Sequence, residues 1–212
     1  MGMSPTVKHL ARRNEISLRT RMIGEQMAEQ DYQEVLRDIE ASARERHWPI
    51  VGPKKGALLV ELVRQYKPRR ILELGALVGY SSTLMSANLE PGGKVVSIEI
   101  DPVNAELTRE TQQRAGVADR CEVHVGSALD VIPQLAGPWD MAFIDAAKEQ
   151  YLAYLQAVEP FLAPGAVIVA DNIKIAPDAI APYLAYVRHS SRYRSSYHDF
   201  GNDGMEVSTF VG

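Results

Sequence analysis

Apolar positions along this chain follow two rhythms. In residues 1–48 they are set among charges, and Val35, Leu36 and Ile39 recur at i, i+1 and i+4, the spacing of one helix face. Ser4-Pro5 offers an N-cap and a first-turn proline upstream of that stripe. No Gly/Ser-rich linker follows, so 1–48 reads as a helical N-terminal extension of one domain spanning 1–212. In residues 49–212 the rhythm changes. Strand-length apolar runs at Ile71–Leu74, Val95–Ile100, Glu122–Val125, Met141–Ile144 and Ala166–Ala170 alternate with helical patterns. Leu58, Leu59, Leu62 and Val63 share one helix face, and Asp101-Pro102 supplies a cap and first-turn proline for another helix.

Strands separated by helices of ordinary length form βαβ units, whose crossovers are right-handed and whose sheet is parallel. The expected fold is therefore α/β, with a doubly wound, mainly parallel sheet. The tail differs. Arg192–Phe200 and Met205–Val211 are joined by Gly201-Asn202-Asp203-Gly204, a turn sequence that predicts a C-terminal antiparallel hairpin.

Composition narrows the function. Apolar residues make up 46% and charged residues 24%, ordinary for a globular protein, and 23 basic against 27 acidic residues give a net charge of −4. A nucleic-acid partner, which calls for a basic excess, is not expected. Cys121 is the only cysteine, which precludes an internal disulfide and suits a reducing, cytoplasmic setting. The chain has no apolar run of the roughly 18 residues that would read as a membrane span. It also lacks the basic-then-apolar opening of a secretory signal. Gly2 and Thr6 match the myristoylation pattern, but Met1-Gly2 ahead of Met3 reads as an expression remnant.

Parallel sheets bind ligands at the carboxyl ends of their strands. After the first strand stands Gly75-Ala76-Leu77-Val78-Gly79. Gly75 admits a close approach to the backbone, and the following helix offers N–H groups to an anion. Leu77 occupies the place of the second glycine of the dinucleotide fingerprint, which argues against NAD or FAD. Gly79-Tyr80-Ser81-Ser82-Thr83 lacks the closing glycine of a hydrolase nucleophile elbow. Glu99 ends the second strand, 24 residues after Gly75, where an acid accepts ribose hydroxyls. Asp145 and Asp171-Asn172 follow the fourth and fifth strands. Neighbouring strands are about 4.8 Å apart, so these hard oxygen donors would meet at the sheet top and suit Mg²⁺. Lys148, three residues after Asp145, would overhang them. Each acid taken alone also fits an ordinary helix cap.

Taken together these motifs resemble class I S-adenosylmethionine-dependent methyltransferases of the catechol O-methyltransferase group. The resemblance runs from Trp48 to Gly212. It rests on Val51-Gly52-Pro53-Lys54-Lys55-Gly56, Leu72–Ala76, Gly79-Tyr80-Ser81, Ile98–Pro102, Asp130–Leu135, Asp140–Asp145 with Lys148 and Tyr151, and Ala170-Asp171-Asn172. It implies a Rossmann-like, seven-stranded sheet whose last strand is antiparallel. It also implies Mg²⁺-dependent methylation of one hydroxyl of a catechol-type small molecule by a monomer or homodimer. Under it Val51, Glu73, Gly75 and Ser81 line the methionine part of the cofactor. Glu99 holds the ribose, Ser127 or Ala128 lies beside the adenine, and Ile100 and Asp145 border the cofactor too. Asp145, Asp171 and Asn172 bind Mg²⁺, and Lys148 is the base. This chain departs from the group where Ala146 and Ala147 replace an aromatic and a histidine, and where Leu77 replaces a tyrosine. For the glutamate that grips the second catechol hydroxyl, Tyr197 is the ungapped match and Asp199 the nearest acid. A rival reading, a protein that keeps the fold as a binding scaffold without turnover, is opposed by the intact Asp145, Lys148, Asp171 and Asn172.

Overall fold

The computed structural model describes residues 32–212. The Ser4-Pro5 cap and the Gly2 pattern lie outside them. A helix, α1 (32–46), precedes α2 (Gly52–Tyr66). Then come β1 (Arg70–Leu74), α3 (Tyr80–Ala87), β2 (Lys94–Glu99), α4 (Pro102–Arg114) and β3 (Cys121–Val125). The short α5 (Ala128–Val131), β4 (Trp139–Ile144), α6 (Tyr151–Val158) and β5 (Leu162–Ala170) follow, and α7 (Pro177–His189), β6 (Tyr193–Asp199) and β7 (Gly204–Phe210) end the chain.

The seven strands form one sheet in the order β3-β2-β1-β4-β5-β7-β6. β1 to β5 are parallel, and β7 runs antiparallel to both β5 and β6. Chain order reverses between β1 and β4, so the crevice that such a reversal opens lies at their carboxyl ends.

Alternation along each strand explains why the central runs are continuously apolar. Leu72, Leu74, Ala142, Ile144, Ile168 and Ala170 face one side and pack with Tyr151, Leu155 and Val158 of α6 and Ile180, Tyr183 and Val187 of α7. Their neighbours Ile71, Met141, Phe143, Val167 and Val169 face the other and pack with Leu58, Leu59, Leu62 and Val63 of α2 and Met85 of α3. A strand buried on both faces has no polar side to show. The apolar stripe of α1 is buried as its spacing predicts. Tyr32, Val35, Leu36 and Ile39 join Val78, Tyr80, Leu84 and Val117, and Tyr80 donates to Glu40 Oε1 at 2.7 Å.

Asp101 caps α4 as expected, accepting from the amides of Val103 at 2.7 Å and Asn104 at 3.3 Å, with Pro102 in the first turn. Most strand boundaries fall within one or two residues of the sequence reading, and the departures at β5 and β2 have evident causes or consequences. β5 starts four residues earlier, because Pro164 and the left-handed Gly165 interrupt an apolar pattern that the backbone continues through a register shift against β4. β2 ends at Glu99, which leaves Ile100 as a bend residue 73% exposed. Among the described residues no helix is long and apolar enough to cross a membrane.

Leu155 is fully buried between α6 and the sheet. Leu155→Ala is expected to lower unfolding free energy by about 2–5 kcal/mol in urea titrations, the cost of a large-to-small core change. A loss below about 1 kcal/mol would mean that this face is loosely packed.

Candidate active site

Backbone hydrogen bonds beyond the strands stitch the predicted site residues into one rim. The amide of Gly126 donates to Glu99 O at 2.9 Å, that of Gly75 to Ile98 O at 2.9 Å, that of Asp145 to Leu74 O at 2.9 Å and that of Asp171 to Ile144 O at 3.0 Å. The exits of β3, β2, β1, β4 and β5 therefore lie side by side. Gly75, at φ +91°, is required there: a Cβ would collide with the carbonyl oxygen of Asp145.

The amides of the turn after β1 are already taken from within the protein. The N–H groups of Ala76 and Leu77 donate to Glu99 Oε2 at 3.0 and 2.8 Å, and that of Asp101 donates to Oε1 at 3.0 Å. Glu99, 6% exposed, thus holds the turn in shape. Leu77 sits at φ +51° in this arrangement. A ligand at this turn is better matched if it brings no pyrophosphate.

A cavity of about 560 Å³ opens above the rim, within the range of small-molecule sites. Of the predicted residues, Val51, Gly75, Ser81, Glu99, Ile100, Ser127, Ala128, Asp145, Lys148 and Asn172 line it. Pro49, Ile50, Ala146, Ala147, Tyr154 and Ile175 are among its other wall residues. Glu73 does not line it. That carboxylate is fully buried one layer behind Ser81, accepting from Ser81 Oγ at 2.5 Å and Ser97 Oγ at 2.6 Å. Burial pushes its carboxyl up to about 7, against the pull of the two hydroxyls.

Acids and lysines crowd the ends of β4 and β5. Lys148 Nζ donates to Asp145 Oδ1 and to the Tyr151 hydroxyl, both at 2.8 Å, and that hydroxyl donates to Asp171 O at 3.0 Å. Asp171 is 1% exposed, and its Oδ1 accepts from the Asn172 amide at 2.6 Å and from Lys55 Nζ at 2.5 Å. Burial and then the neighbouring Asp145 push the Asp171 carboxyl up to about 6, which Lys55 opposes. Lys55 also pairs with Asp203, whose Oδ2 accepts from Asn172 Nδ2 at 2.7 Å.

Lys55 and Asp203 were not singled out from the sequence for any role. Lys55 appeared only within the Val51–Gly56 motif, and Asp203 only as turn chemistry. Asp199 does not take part: it pairs with Lys174 at 2.6 Å and accepts from the Tyr197 hydroxyl at 2.7 Å, 60% exposed. Neither Asp199 nor Tyr197 lines the cavity.

The position of Glu73 carries a pH signature. Its carboxyl stands above the ordinary value of 4.5, so the folded state keeps a proton that the unfolded chain releases. That stability is fully present below pH 4.5 and is lost as pH rises to about 7, a change of up to about 3 kcal/mol. Glu73→Gln, neutral at every pH, is expected to flatten this decline in melting temperature and to melt above the native protein at pH 8. Identical pH slopes for the two proteins would contradict the burial account.

A family model described as O-methyltransferase matches residues 25–182. Catechol O-methyltransferase of Mus musculus is 35% identical over 198 residues, covering 86% of this chain and 73% of that protein. Catechol O-methyltransferase of Mycobacterium tuberculosis is 47% identical over 124 residues, covering 58% of this chain and 56% of that one. Among solved structures, cofactor-bound Rv0187 from MTB superposes with a TM-score of 0.77 at 34% identity, covering 84% of this chain and 89% of that one. The Bacillus cereus O-methyltransferase in complex with SAH gives 0.76 at 28% identity, covering 84% and 90%. With the seven-stranded sheet and the cavity at its parallel strand ends, these matches establish that the chain belongs to the O-methyltransferase family, among the class I S-adenosylmethionine-dependent enzymes.

Proposed function

We propose that this protein transfers a methyl group from S-adenosylmethionine to one hydroxyl of a catechol-type acceptor with the help of Mg²⁺. The observation that carries the reading is one cavity with two chemically different halves. One half holds Glu99, Ser81 and Val51; the other holds Asp145, Asn172 and Lys148, with Asp171 behind them. Catechol O-methyltransferases of Mus musculus and Mycobacterium tuberculosis among the relatives support the acceptor class, and the SAH-bound Bacillus cereus structure supports the methyl donor.

The donor set fits a magnesium ion. Among the described residues no group of three or more His, Cys, Asp and Glu side chains forms a metal cage. Two carboxylates and one amide oxygen are instead the sparse, hard set that Mg²⁺ accepts while keeping positions for water or substrate. Asp171 Oδ2 accepts no hydrogen bond from the described residues, and Asn172 has its nitrogen committed to Asp203, which leaves its oxygen available. Asp145, Asp171 and Asn172 would hold the ion, and bound there it would stabilise the anion of a vicinal diol.

The chain's own residues then have distinct tasks. A phenol with a pKa near 10 is scarcely ionised at neutral pH, so its proton must be taken. Lys148, in its uncharged form, would accept that proton at Nζ, and Asp145 and Tyr151 hold the Lys148 side chain over the rim. Glu99 has three amides on its two oxygens and retains acceptor capacity for a ribose hydroxyl. Ile50, Ala146, Ala147 and Ile175 wall the acceptor side. Holding acceptor oxygen and sulfonium methyl in line contributes on the order of 7–11 kcal/mol to the barrier reduction. The one cysteine is compatible with a cytoplasmic setting.

Methyl transfer to a dihydroxybenzoate, with and without Mg²⁺ after chelation, tests the reading, and a protein inert in both conditions would be a scaffold. Lys148→Ala is expected to lower kcat about 10²–10⁴-fold, with metal and cofactor affinity retained. A nitrocatechol, already acidic, needs the base less, so the defect should shrink with it. Equal defects on acidic and ordinary catechols would make Lys148 a positioning group, and full activity on both would remove it from the mechanism.

A further inference from the structure

Lys55 lies on α2 and Asp203 in the turn between β6 and β7, 148 residues apart in sequence. They meet beside the end of β5, away from the proton path through Lys148. We propose that the Lys55–Asp203 pair is a positioning clamp that sets Asp171 and Asn172 in the orientation a divalent cation requires. The inference rests on the cation reading above and adds a role for two residues outside the ligand set.

Three contacts define the clamp. Lys55 Nζ and the Asn172 amide both donate to Asp171 Oδ1, so that carboxylate is held by one oxygen from two directions and its Oδ2 is left without a hydrogen bond from the described residues. Asn172 presents the second constraint. A side-chain amide can turn either its nitrogen or its oxygen towards a partner, and the partner decides which. Asp203 is ion-paired with Lys55, and a carboxylate in such a pair can only accept. Asn172 Nδ2 must therefore face Asp203, at 2.7 Å, and Oδ1 must face away from it. Asn172 itself stands at φ +59°, and the next residue is tied to the same turn, the Ile173 amide donating to Gly204 O at 3.2 Å. The β6–β7 turn thus fixes both backbone and side chain at the end of β5.

Lys55 cannot be a ligand, because an ammonium has no lone pair to give. It is 12% exposed, Asp203 is 14% exposed, and neither lines the cavity. Their charges cancel one another, so the clamp orients the ligands without adding to the surplus negative charge on Asp145 and Asp171. Residues that orient metal ligands from behind typically change affinity by about 10–100-fold when removed.

The test is Mn²⁺ binding to the full chain with S-adenosylhomocysteine present, measured by calorimetry and by loss of the free-ion paramagnetic resonance signal. Lys55→Met and Asp203→Ala are each expected to weaken Mn²⁺ binding about 10–100-fold, with S-adenosylhomocysteine affinity unchanged. Asp203→Asn keeps an acceptor oxygen for Asn172 Nδ2 and is expected to lose less than Asp203→Ala. It also serves if the alanine variant folds poorly. Lower melting temperatures with unchanged Mn²⁺ affinity would make the pair a mere tie between α2 and the turn, and would overturn the clamp alone. Tighter Mn²⁺ binding by Lys55→Met would overturn it too, by showing that the lysine competes with the ion. A native protein that binds no Mn²⁺ would overturn the cation reading and the clamp with it.

Discussion

Two carboxylates, half-buried Asp145 and buried Asp171, follow neighbouring parallel strands; the rest of the site answers their repulsion. Unit charges separated by one strand spacing, about 4.8 Å, repel by about 3 kcal/mol at an effective dielectric constant of about 20. The fold tolerates the pair because lysines approach from opposite sides, Lys148 on Asp145 and Lys55 on Asp171. With Asp203, three carboxylates face two ammonium groups, so the cluster keeps a surplus negative charge next to an open cavity. Such a surplus is stable only in a rigid frame, and the two-sided core around β1, β4 and β5 supplies it.

The other half of the cavity is governed by a third carboxylate with a different solution. Glu99 is satisfied by backbone amides rather than by lysines. This makes the turn after β1 self-contained and removes the anion cradle that a dinucleotide enzyme builds at the same place. Leu77 fits the same logic, since the close backbone approach that a second glycine provides has no pyrophosphate to serve. The two ends of the cavity are thus chemically distinct, with a carboxylate satisfied by backbone amides at one and an ion-paired cluster of acids and lysines at the other.

Much of this was legible in the sequence, for physical reasons. Runs such as Met141–Ile144 are apolar throughout because both faces are buried, and the residue that follows each run is placed on the rim by the ladder itself. Gly75, Glu99, Asp145, Asp171 and Asn172 could therefore be found as strand-end residues. What was not legible depends on tertiary placement. The start of β5 was hidden because Pro164-Gly165 looks like a turn locally and is carried by pairing with β4. Lys55 and Asp203 are joined only after α2 and the C-terminal hairpin dock on the same edge, and no periodicity relates residues so far apart. Asp199 is the acid nearest the place of the catechol-gripping glutamate that the resemblance implies, yet its strand turns it to solvent and Lys174. The structural task of Glu99 was invisible because spacing rules describe what an acid offers a ligand and say nothing of the amides around it.

Under the proposed function, the surplus charge at the ends of β4 and β5 would receive a divalent cation, and that cation the acceptor's two oxygens. Crystals grown with Mn²⁺, S-adenosylhomocysteine and a nitrocatechol test it directly through the anomalous signal of manganese. One strong peak is expected within ligand distance of Asp145, Asp171 and Asn172, with both catechol oxygens on it and Lys148 Nζ beside one of them. A catechol seated in the cavity with no manganese between it and these three residues would contradict it.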